Sequence, residues 1–184
     1  MARKILAVTM GLLLVAGFAS QRMFAQGGTP QGQPGGGGTP RPPQMIDLAT
    51  AKKAAAAAEA AAIALNGMGR VAICVMDANG DLVYLQRMDT ASPRAVTSAM
   101  GHARAALLFG VSAIQVYDAM KADKPVTIMP RQLPQGNWEI TIEPAGIPIM
   151  KDGKMIGAIG VGGIASLDDE KVAQAGVDAL GLGK

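Results

Sequence analysis

The sequence predicts an α+β fold in which a five-stranded antiparallel sheet carries helices on its faces. Asn79-Gly80 and Asp152-Gly153 each lie between short apolar runs, and such dipeptides favour tight hairpins with antiparallel strands. Helical patterns precede, separate and follow the hairpins, so the predicted order is α-β-β-α-α-β-β-β-α. Because the strands come mainly in hairpins and do not alternate singly with helices, the pattern excludes a doubly wound parallel sheet.

The first 25 residues are predicted to be a secretory signal peptide. Arg3 and Lys4 form a basic start, residues 5–16 are apolar, and small residues lead up to Ala19. The apolar run is short for a membrane-spanning helix, and a permanent N-terminal anchor is the alternative. We therefore expect a periplasmic or secreted protein that keeps no stable membrane span after the leader is removed.

Residues 26–43 are rich in glycine, proline and glutamine, which predicts a flexible linker without a core of its own. The remaining residues, 44–184, suit a single domain. Three of the 17 basic residues lie in residues 1–25, where no acidic residue occurs, so the rest of the chain is formally neutral against its 14 acidic residues. A neutral domain lacks the basic surface that nucleic-acid binding requires.

The domain is predicted to begin with one helix and one hairpin. Residues 45–66 are alanine-rich, and Asn66 with the glycine after it is a helix stop signal. Residues 70–77 and 81–88 are predicted as the paired strands of the first hairpin. The only cysteine, Cys74, lies within the first strand, so we expect it to be buried and unreactive, and no internal disulfide can form.

Two helices are predicted after the first hairpin. Ser92 is expected to cap a helix over residues 93–109, which ends at Gly110. Ser112 and Gln115 predict a capping box at the start of a shorter helix.

The C-terminal part of the domain is predicted to contain a loop, three strands and a helix. Residues 125–137 include two prolines and are expected to form the loop, and residues 138–143 alternate as a strand does. Residues 146–163 form the second hairpin. Ser166 and Asp169 then predict a capping box for the last helix.

The last predicted strand is unusually rich in glycine. Gly157, Gly160, Gly162 and Gly163 fall within seven residues, and glycine weakens the interior of a strand. Close approach of another backbone, a β-bulge and a flat ligand against the sheet are the alternatives. A phosphate-binding loop is excluded because no Lys-Ser/Thr pair follows these glycines.

Three segments carry a family resemblance. Residues 71–87 read V-A-I-C-V-M-D-A-N-G-D-L-V-Y-L-Q-R, residues 99–109 read A-M-G-H-A-R-A-A-L-L-F, and residues 146–163 read G-I-P-I-M-K-D-G-K-M-I-G-A-I-G-V-G-G. In this order they resemble the first hairpin, the central helix and the C-terminal signature of the GlcG/HbpS-type haem-binding protein family, and the likeness extends over roughly residues 47–182. The resemblance implies a profilin-like arrangement, a haem or related tetrapyrrole ligand, and a homo-oligomer.

His102, the only histidine, is the first candidate for binding a cofactor and for ligating its iron. An imidazole can bind haem iron through one nitrogen while a carbonyl or carboxylate holds the other. The alternative is a purely structural histidine. The family that the chain resembles usually has lysine here and threonine at Ala105, so either the ligand has changed or the function has been lost.

Further cofactor-binding candidates are four arginines, a tyrosine and a methionine: Arg87, Arg94, Arg104, Arg131, Tyr84 and Met88. A guanidinium matches the carboxylates of haem propionates, and phenolate and thioether groups are known axial ligands of haem iron. The alternatives are solvated surface charge for the arginines, an outward-facing strand position for the tyrosine, and core packing for the methionine.

The sequence favours a binding protein over an enzyme. It contains no recognisable nucleophile motif and no zinc-ligand spacing. The acidic run at residues 168–170 is best explained as compensation of a helix dipole, and binding of iron or calcium is the alternative. We expect an exported protein that captures, buffers or senses haem. The alternatives are a haem-degrading or corrinoid-related enzyme and an oligomeric interaction module without a ligand.

Overall fold

The computed structural model describes residues 45–66, 69–129 and 138–182. The predicted leader, the predicted linker and Arg131 lie outside these ranges. The described residues form four helices and four strands, in the order α1 (Leu48–Asn66), β1 (Ala72–Asp77), β2 (Leu82–Arg87), α2 (Ala95–Phe109), α3 (Ala113–Lys121), β3 (Gly146–Lys151), β4 (Lys154–Gly162) and α4 (Ser166–Asp178). None of these helices has both the length and the hydropathy needed to cross a bilayer.

The sheet has the strand order β2-β1-β4-β3, and all neighbours are antiparallel. Both predicted hairpins are present. At the second turn, Asp152 has a φ of 50° and Gly153 a φ of 72°, which are the positive values that a type I′ turn requires. The two hairpin pairs, β1–β2 and β3–β4, therefore follow from local turn chemistry, whereas the central pairing of β1 with β4 joins distant segments.

The predicted fifth strand is wrong, since residues 138–143 do not pair with the sheet in the part of the chain that the structure describes. The backbone N–H of Thr141 instead donates a hydrogen bond to the carbonyl oxygen of Gly101 in α2, over 3.1 Å. A Cβ atom on Gly101 would collide with Thr141. The segment lies against the helix, so its amide is satisfied without a strand partner.

The three predicted N-terminal caps differ from the observed ones. The cap position of α2 is Arg94, not Ser92, and it makes no capping hydrogen bond through its side chain. Ser112 does occupy the cap position of α3, but without a side-chain hydrogen bond. Ser166 is the first residue of α4, and its hydroxyl donates to the Glu143 carboxylate over 3.1 Å. At α4, a tertiary contact has therefore replaced the predicted local one.

The sheet is covered by helices on both faces. Ala72, Cys74 and Met76 of β1 pack in the cluster formed with α2, whereas Ile73 and Val75 pack in the cluster formed with α1 and α4. Cys74 is fully buried, as predicted, and burial raises the pKa of its thiol to about 12. The alternation of β1 thus separates a small-residue layer under α2 from a larger-residue layer under α1 and α4.

Helix α2 lies directly on the sheet because glycines remove the side chains between them. A Cβ atom on Gly160 would collide with the backbone of Ala99 and Ala103, and Cβ atoms on Gly146 and Gly162 would also meet the backbone of α2. All four glycines of the predicted last strand lie against other backbone. Gly160 and Gly162 lie against α2, Gly157 lies against β1, and Gly163 lies against the two residues that precede β1. Close backbone approach is therefore the reason for these glycines.

We predict that Gly160→Ala lowers the free energy of unfolding by about 2–3 kcal/mol, since the added methyl group meets backbone atoms that cannot rotate away. The control is Gly153→Ala, at a turn position with no atom within 4 Å of the added Cβ. It should cost only about 1 kcal/mol, for the positive φ. Urea denaturation measures both. Equal losses would show that the packing of α2 is not the constraint.

Candidate functional site

The candidate site is built around His102 in α2. The side chain is 1% exposed, because this residue follows Ala99 by three positions and lies beside the face that packs on the sheet. Its Nδ1 atom donates a hydrogen bond to the carbonyl oxygen of Val161 in β4, over 2.6 Å. Its Nε2 atom is buried and has no hydrogen-bond partner within the described ranges.

The surroundings of the His102 ring favour one protonation state and one tautomer. Burial lowers its pKa, while the hydrogen bond to Val161 and the charge of Glu143 act in the opposite direction. A carbonyl oxygen can only accept, so the proton of the neutral ring is on Nδ1 and the lone pair is on Nε2. Such a nitrogen is able to ligate a metal.

Three carboxylates lie around the start of α4, close to the end of residues 138–143. Asp169 is 3% exposed, and its Oδ1 atom accepts a hydrogen bond from the N–H of Ile164 over 3.4 Å. Burial raises the pKa of Asp169 to about 6. Burial likewise raises the pKa of Glu170 to about 7, against a hydrogen bond from the backbone of Ala145. Glu143 accepts from Ser166, as described above.

A cleft of about 480 Å³ lies at the N-terminal part of α2, the helix that carries His102. It is lined mainly by polar residues from the start of α2, from residues 139–143 and from the approach to α4: Ser92, Arg94, Ala95, Thr97, Ser98, Glu139, Thr141, Glu143, Gly163 and Ile164. Helical side chains lean towards the N-terminus of their helix, so His102 leans towards Ser98, which precedes it by one turn. The imidazole is therefore directed towards the end of α2 at which the cleft lies. Its volume is typical of small-molecule sites.

Arg104 and Arg87 are occupied elsewhere. The Arg104 guanidinium lies 5.8 Å from the centroid of the Trp138 ring and donates to the carbonyl oxygen of Glu139 over 3.3 Å. Arg87 donates to the carbonyl oxygen of Ala91 over 2.6 Å. Neither residue lines the cleft. Arg94 lines it, and its guanidinium has no hydrogen-bond or ion-pair partner among the described residues.

Tyr84 and Met88 lie on the other side of the sheet from α2. Both pack against the cluster that α1 and α4 cover. The Tyr84 hydroxyl donates a hydrogen bond to Oε1 of Gln86 over 3.3 Å. Of the predicted site residues, Arg94 lines the cleft, His102 lies one helical turn after the lining residue Ser98 without lining the cleft itself, and Arg131 lies outside the described ranges. No three His, Cys, Asp or Glu side chains come together as a metal site in residues 45–66, 69–129 and 138–182.

A second depression, of about 410 Å³, is more apolar. It lies between the α2–α3 corner, β3 and α4, and its lining includes Val111, Ile147, Pro148, Met150 and Val177. Met150 is the one lining residue with a sulfur atom that could ligate iron. Nothing in the sequence distinguishes it from the other methionines. This groove provides an internal control for any ligand assigned to the cleft.

The sequence interpretation missed the carboxylates near His102. The acidic run at residues 168–170 was explained by the helix dipole, and Asp168 does form a surface ion pair with Lys171 over 2.9 Å. Asp169 and Glu170, in contrast, are pulled inwards. The helical spacing could have indicated this inward position. Asp169 and Glu170 each precede a buried residue, Val172 and Ala173, by three positions and so share its side of the helix.

We predict that Glu170→Gln stabilises the protein at neutral and alkaline pH. The folded protein holds a proton on Glu170 between about pH 4.5 and the raised pKa of about 7, where the unfolded chain has released it. The stability due to this proton is complete below the lower pH and is lost as the pH rises through 7.

Above about pH 8, Glu170→Gln should exceed the wild type by about 1–2 kcal/mol of unfolding free energy, a value that allows for solvent screening of a partly exposed group. Near pH 4 the two should agree. Asp168→Asn, which removes an exposed carboxylate of the same helix, should keep the wild-type slope. Denaturant unfolding over this pH range measures it, and equal slopes for all three proteins would contradict the prediction.

The chain resembles known proteins over most of its length. A family model described as "Haem degrading protein HbpS-like" matches residues 46–178. A protein of Citrobacter freundii, described as an uncharacterized 15.0 kDa protein in the dhaT-dhaS intergenic region, is 32% identical over 135 residues, which are 73% of this chain and 92% of that protein.

Solved structures share the fold. A double mutant of Streptomyces reticuli HbpS is 28% identical, with a TM-score of 0.60 over 74% of this chain and 87% of that one. PduOC, solved as a haem complex, has a TM-score of 0.64 over 76% of this chain and 97% of that one, but at 19% identity the likeness shows the fold alone. Because the family model matches well over half of the residues and the relative exceeds 30% identity over most of both proteins, the chain belongs to the HbpS-like family.

Proposed function

We propose that this protein binds haem or a related tetrapyrrole beside α2, with His102 as an axial ligand of the iron. The observation that carries the proposal is the buried Nε2 atom without a partner among the described residues. The hydrogen bond from Nδ1 to Val161 orients the ring, as such bonds do in metal-binding histidines. The description of the matching family, which names haem degradation, supports the same class of ligand.

The residues present fit this ligand at its iron and at its propionates. Because the imidazole is neutral, its lone pair on Nε2 is available without loss of a proton. Arg94 lies at the rim of the cleft, at the N-terminal end of α2, and its guanidinium suits a carboxylate. Arg104 and Arg87 already bind backbone carbonyls, so Arg94 is the arginine that we assign to a propionate.

The protein's contribution is binding and orientation. Haem iron would supply any redox chemistry, while Val161 holds the imidazole, the sheet behind α2 excludes water, and Arg94 provides charge at the rim. We propose capture or buffering of haem as the role. Degradation of haem is the second candidate, since the family description names it.

Titration of the purified protein with haemin tests the proposal. The wild type should give a shifted Soret band with a stoichiometric end point. His102→Ala should change the band and weaken binding at least tenfold, roughly 1.4 kcal/mol. Met150→Leu, in the apolar groove on another side of the protein, should leave both unchanged. Burial lowers the pKa of His102, so affinity should hold down to about pH 6.5 and fall only below it.

An identical spectrum in His102→Ala would exclude the histidine, and loss of binding in Met150→Leu would move the ligand to the groove. Absence of saturable binding by the wild type would refute the proposed function. Incubation of the complex with a reductant and oxygen separates the two roles: a stable band supports buffering, whereas loss of the band with formation of biliverdin supports degradation.

Export and self-association are further parts of the proposal. The basic and apolar start of the chain supports export, and the mass of the protein recovered from the cell envelope should lack the leader. A full-length mass would contradict export. The homo-oligomer implied by the resemblance stays a prediction, which sedimentation at micromolar concentration would test.

A further inference from the structure

Residues 138–143, here called the strap, cross the outer side of α2. The strap is attached first at Arg104, whose guanidinium lies over the Trp138 ring and donates to the carbonyl oxygen of Glu139. One turn earlier in α2, the carbonyl oxygen of Gly101 accepts from the N–H of Thr141. The strap therefore follows a row of helix positions spaced three residues apart.

The C-terminal end of the strap reaches the surroundings of His102. Glu143 lines the cleft together with Ser98, which continues the same row of α2, and its carboxylate accepts from Ser166 at the start of α4. The charge of Glu143 acts on the His102 ring. The sheet contacts α2 at Ala99 and Ala103, and the strap contacts it at Gly101 and Arg104. His102 lies on the helix between these two sides, is 1% exposed and does not line the cleft.

With the strap closed, buried polar atoms near it lack hydrogen-bond partners among the described residues. The buried side-chain nitrogen and oxygen atoms without a hydrogen-bond partner in the described part of the chain are Nε of Arg104, Nε2 of His102 and Oε2 of Glu170. The first belongs to the attachment of the strap, the second to the enclosed imidazole, and the third to a residue bound to the backbone of Ala145, two residues after the strap.

The backbone just beyond the strap is strained. Ala145 is a non-glycine residue with a φ of 146°, a conformation that is sparsely populated outside glycine and persists only where the surroundings enforce it. Unpaired buried polar atoms are also unfavourable, and water would satisfy them on opening. The closed form therefore carries its unfavourable features where the strap meets α2 and α4.

We propose that the strap is a gate which opens to admit a ligand to His102, and that Arg104 is the residue that holds it closed. The proposal rests on the proposed function for the identity of the ligand, but not for the motion. Arg104 is a positioning residue, since it acts on the imidazole only through Trp138 and Glu139. Its role is to set the rate of access, and the affinity of the open site does not depend on it.

Chemical modification of the single histidine tests the gate without any ligand. Diethyl pyrocarbonate reacts with a neutral imidazole nitrogen that it can reach, and mass spectrometry follows the added group on the one histidine of the chain. Arg104→Ala and Trp138→Ala should each react at least tenfold faster than the wild type. Lys121→Ala, which removes a cation–π contact with Tyr117 elsewhere on the surface, should react at the wild-type rate.

A reversible staple guards against effects of misfolding. A Cβ atom on Gly101 would lie 3.0 Å from Cβ of Thr141, closer than the spacing of about 3.8 Å in a disulfide. The strap must therefore shift outwards slightly to accept the two cysteines, and this shift is common to the oxidised and the reduced protein. In the double variant Gly101→Cys with Thr141→Cys, diethyl pyrocarbonate should modify His102 at least tenfold more slowly in the oxidised protein than in the same protein after reduction. Haemin association, followed by stopped flow, should show the same order of rates.

The outcomes separate the two proposals. Equal modification rates in the wild type and both single variants, or in the oxidised and reduced double variant, overturn the gate even if haemin binds. Faster modification in Arg104→Ala and Trp138→Ala supports the gate even if the wild type binds no haemin, in which case only the proposed ligand falls. Arg104→Lys should be faster than the wild type, because it lacks the planar guanidinium that stacks on Trp138.

Discussion

The rest of the structure depends on the contact between the backbone of α2 and the backbone of β4. Gly160 in β4 meets the backbone of Ala99 and Ala103, and Gly146 in β3 meets the backbone of His102, so that no side chain of the sheet separates the two at these points. Backbone atoms cannot change rotamer, and a contact of this kind has no freedom to repack. The position of every other residue of α2 relative to the sheet follows from it.

This contact explains how a polar ring comes to lie in the core. With the helix so close to the sheet, the carbonyl of Val161 comes within 2.6 Å of the His102 imidazole and satisfies one of its two nitrogens. The other nitrogen, Nε2, has no hydrogen-bond partner in the described part of the chain. Burial lowers the pKa of His102, against the hydrogen bond to Val161 and the charge of Glu143, and so favours the neutral ring. The result is a neutral imidazole with an unpaired Nε2 among the described residues, which is the arrangement that the proposed haem binding requires.

The other side of α2 meets a polar environment. Residues 138–143 leave the region outside the described ranges, follow the helix and bring Glu143 to the start of α4. There the carboxyl groups of Asp169 and Glu170 are buried and their pKa values are raised to about 6 and about 7. A closely packed interface and a polar cleft therefore share the same helix, with His102 between them.

Much of the fold could be predicted from local signals. The turns at Asn79-Gly80 and Asp152-Gly153 and the helix stop at Gly110 depend on backbone conformations that few residues adopt, and they occur where the sequence places them. The alternation of residues 138–143 was misleading, because a segment that lies along a helix also buries one of its sides. His102 was identifiable as the only histidine, whereas its partner Val161 is 59 residues away in the chain.

The sequence by itself determined the α+β class, the two hairpins and the helix spans, since each follows from the conformational preferences of a few neighbouring residues. Only the tertiary structure decided what the glycines contact, which arginine is unpaired, and which carboxylates are buried beside the histidine. These properties depend on which distant segments meet, and one residue type serves equally well in a core or at a site. The carbonyl of Val161, which accepts the hydrogen bond from the His102 imidazole, is an example: it is a backbone group, and no residue type in the sequence indicates its role.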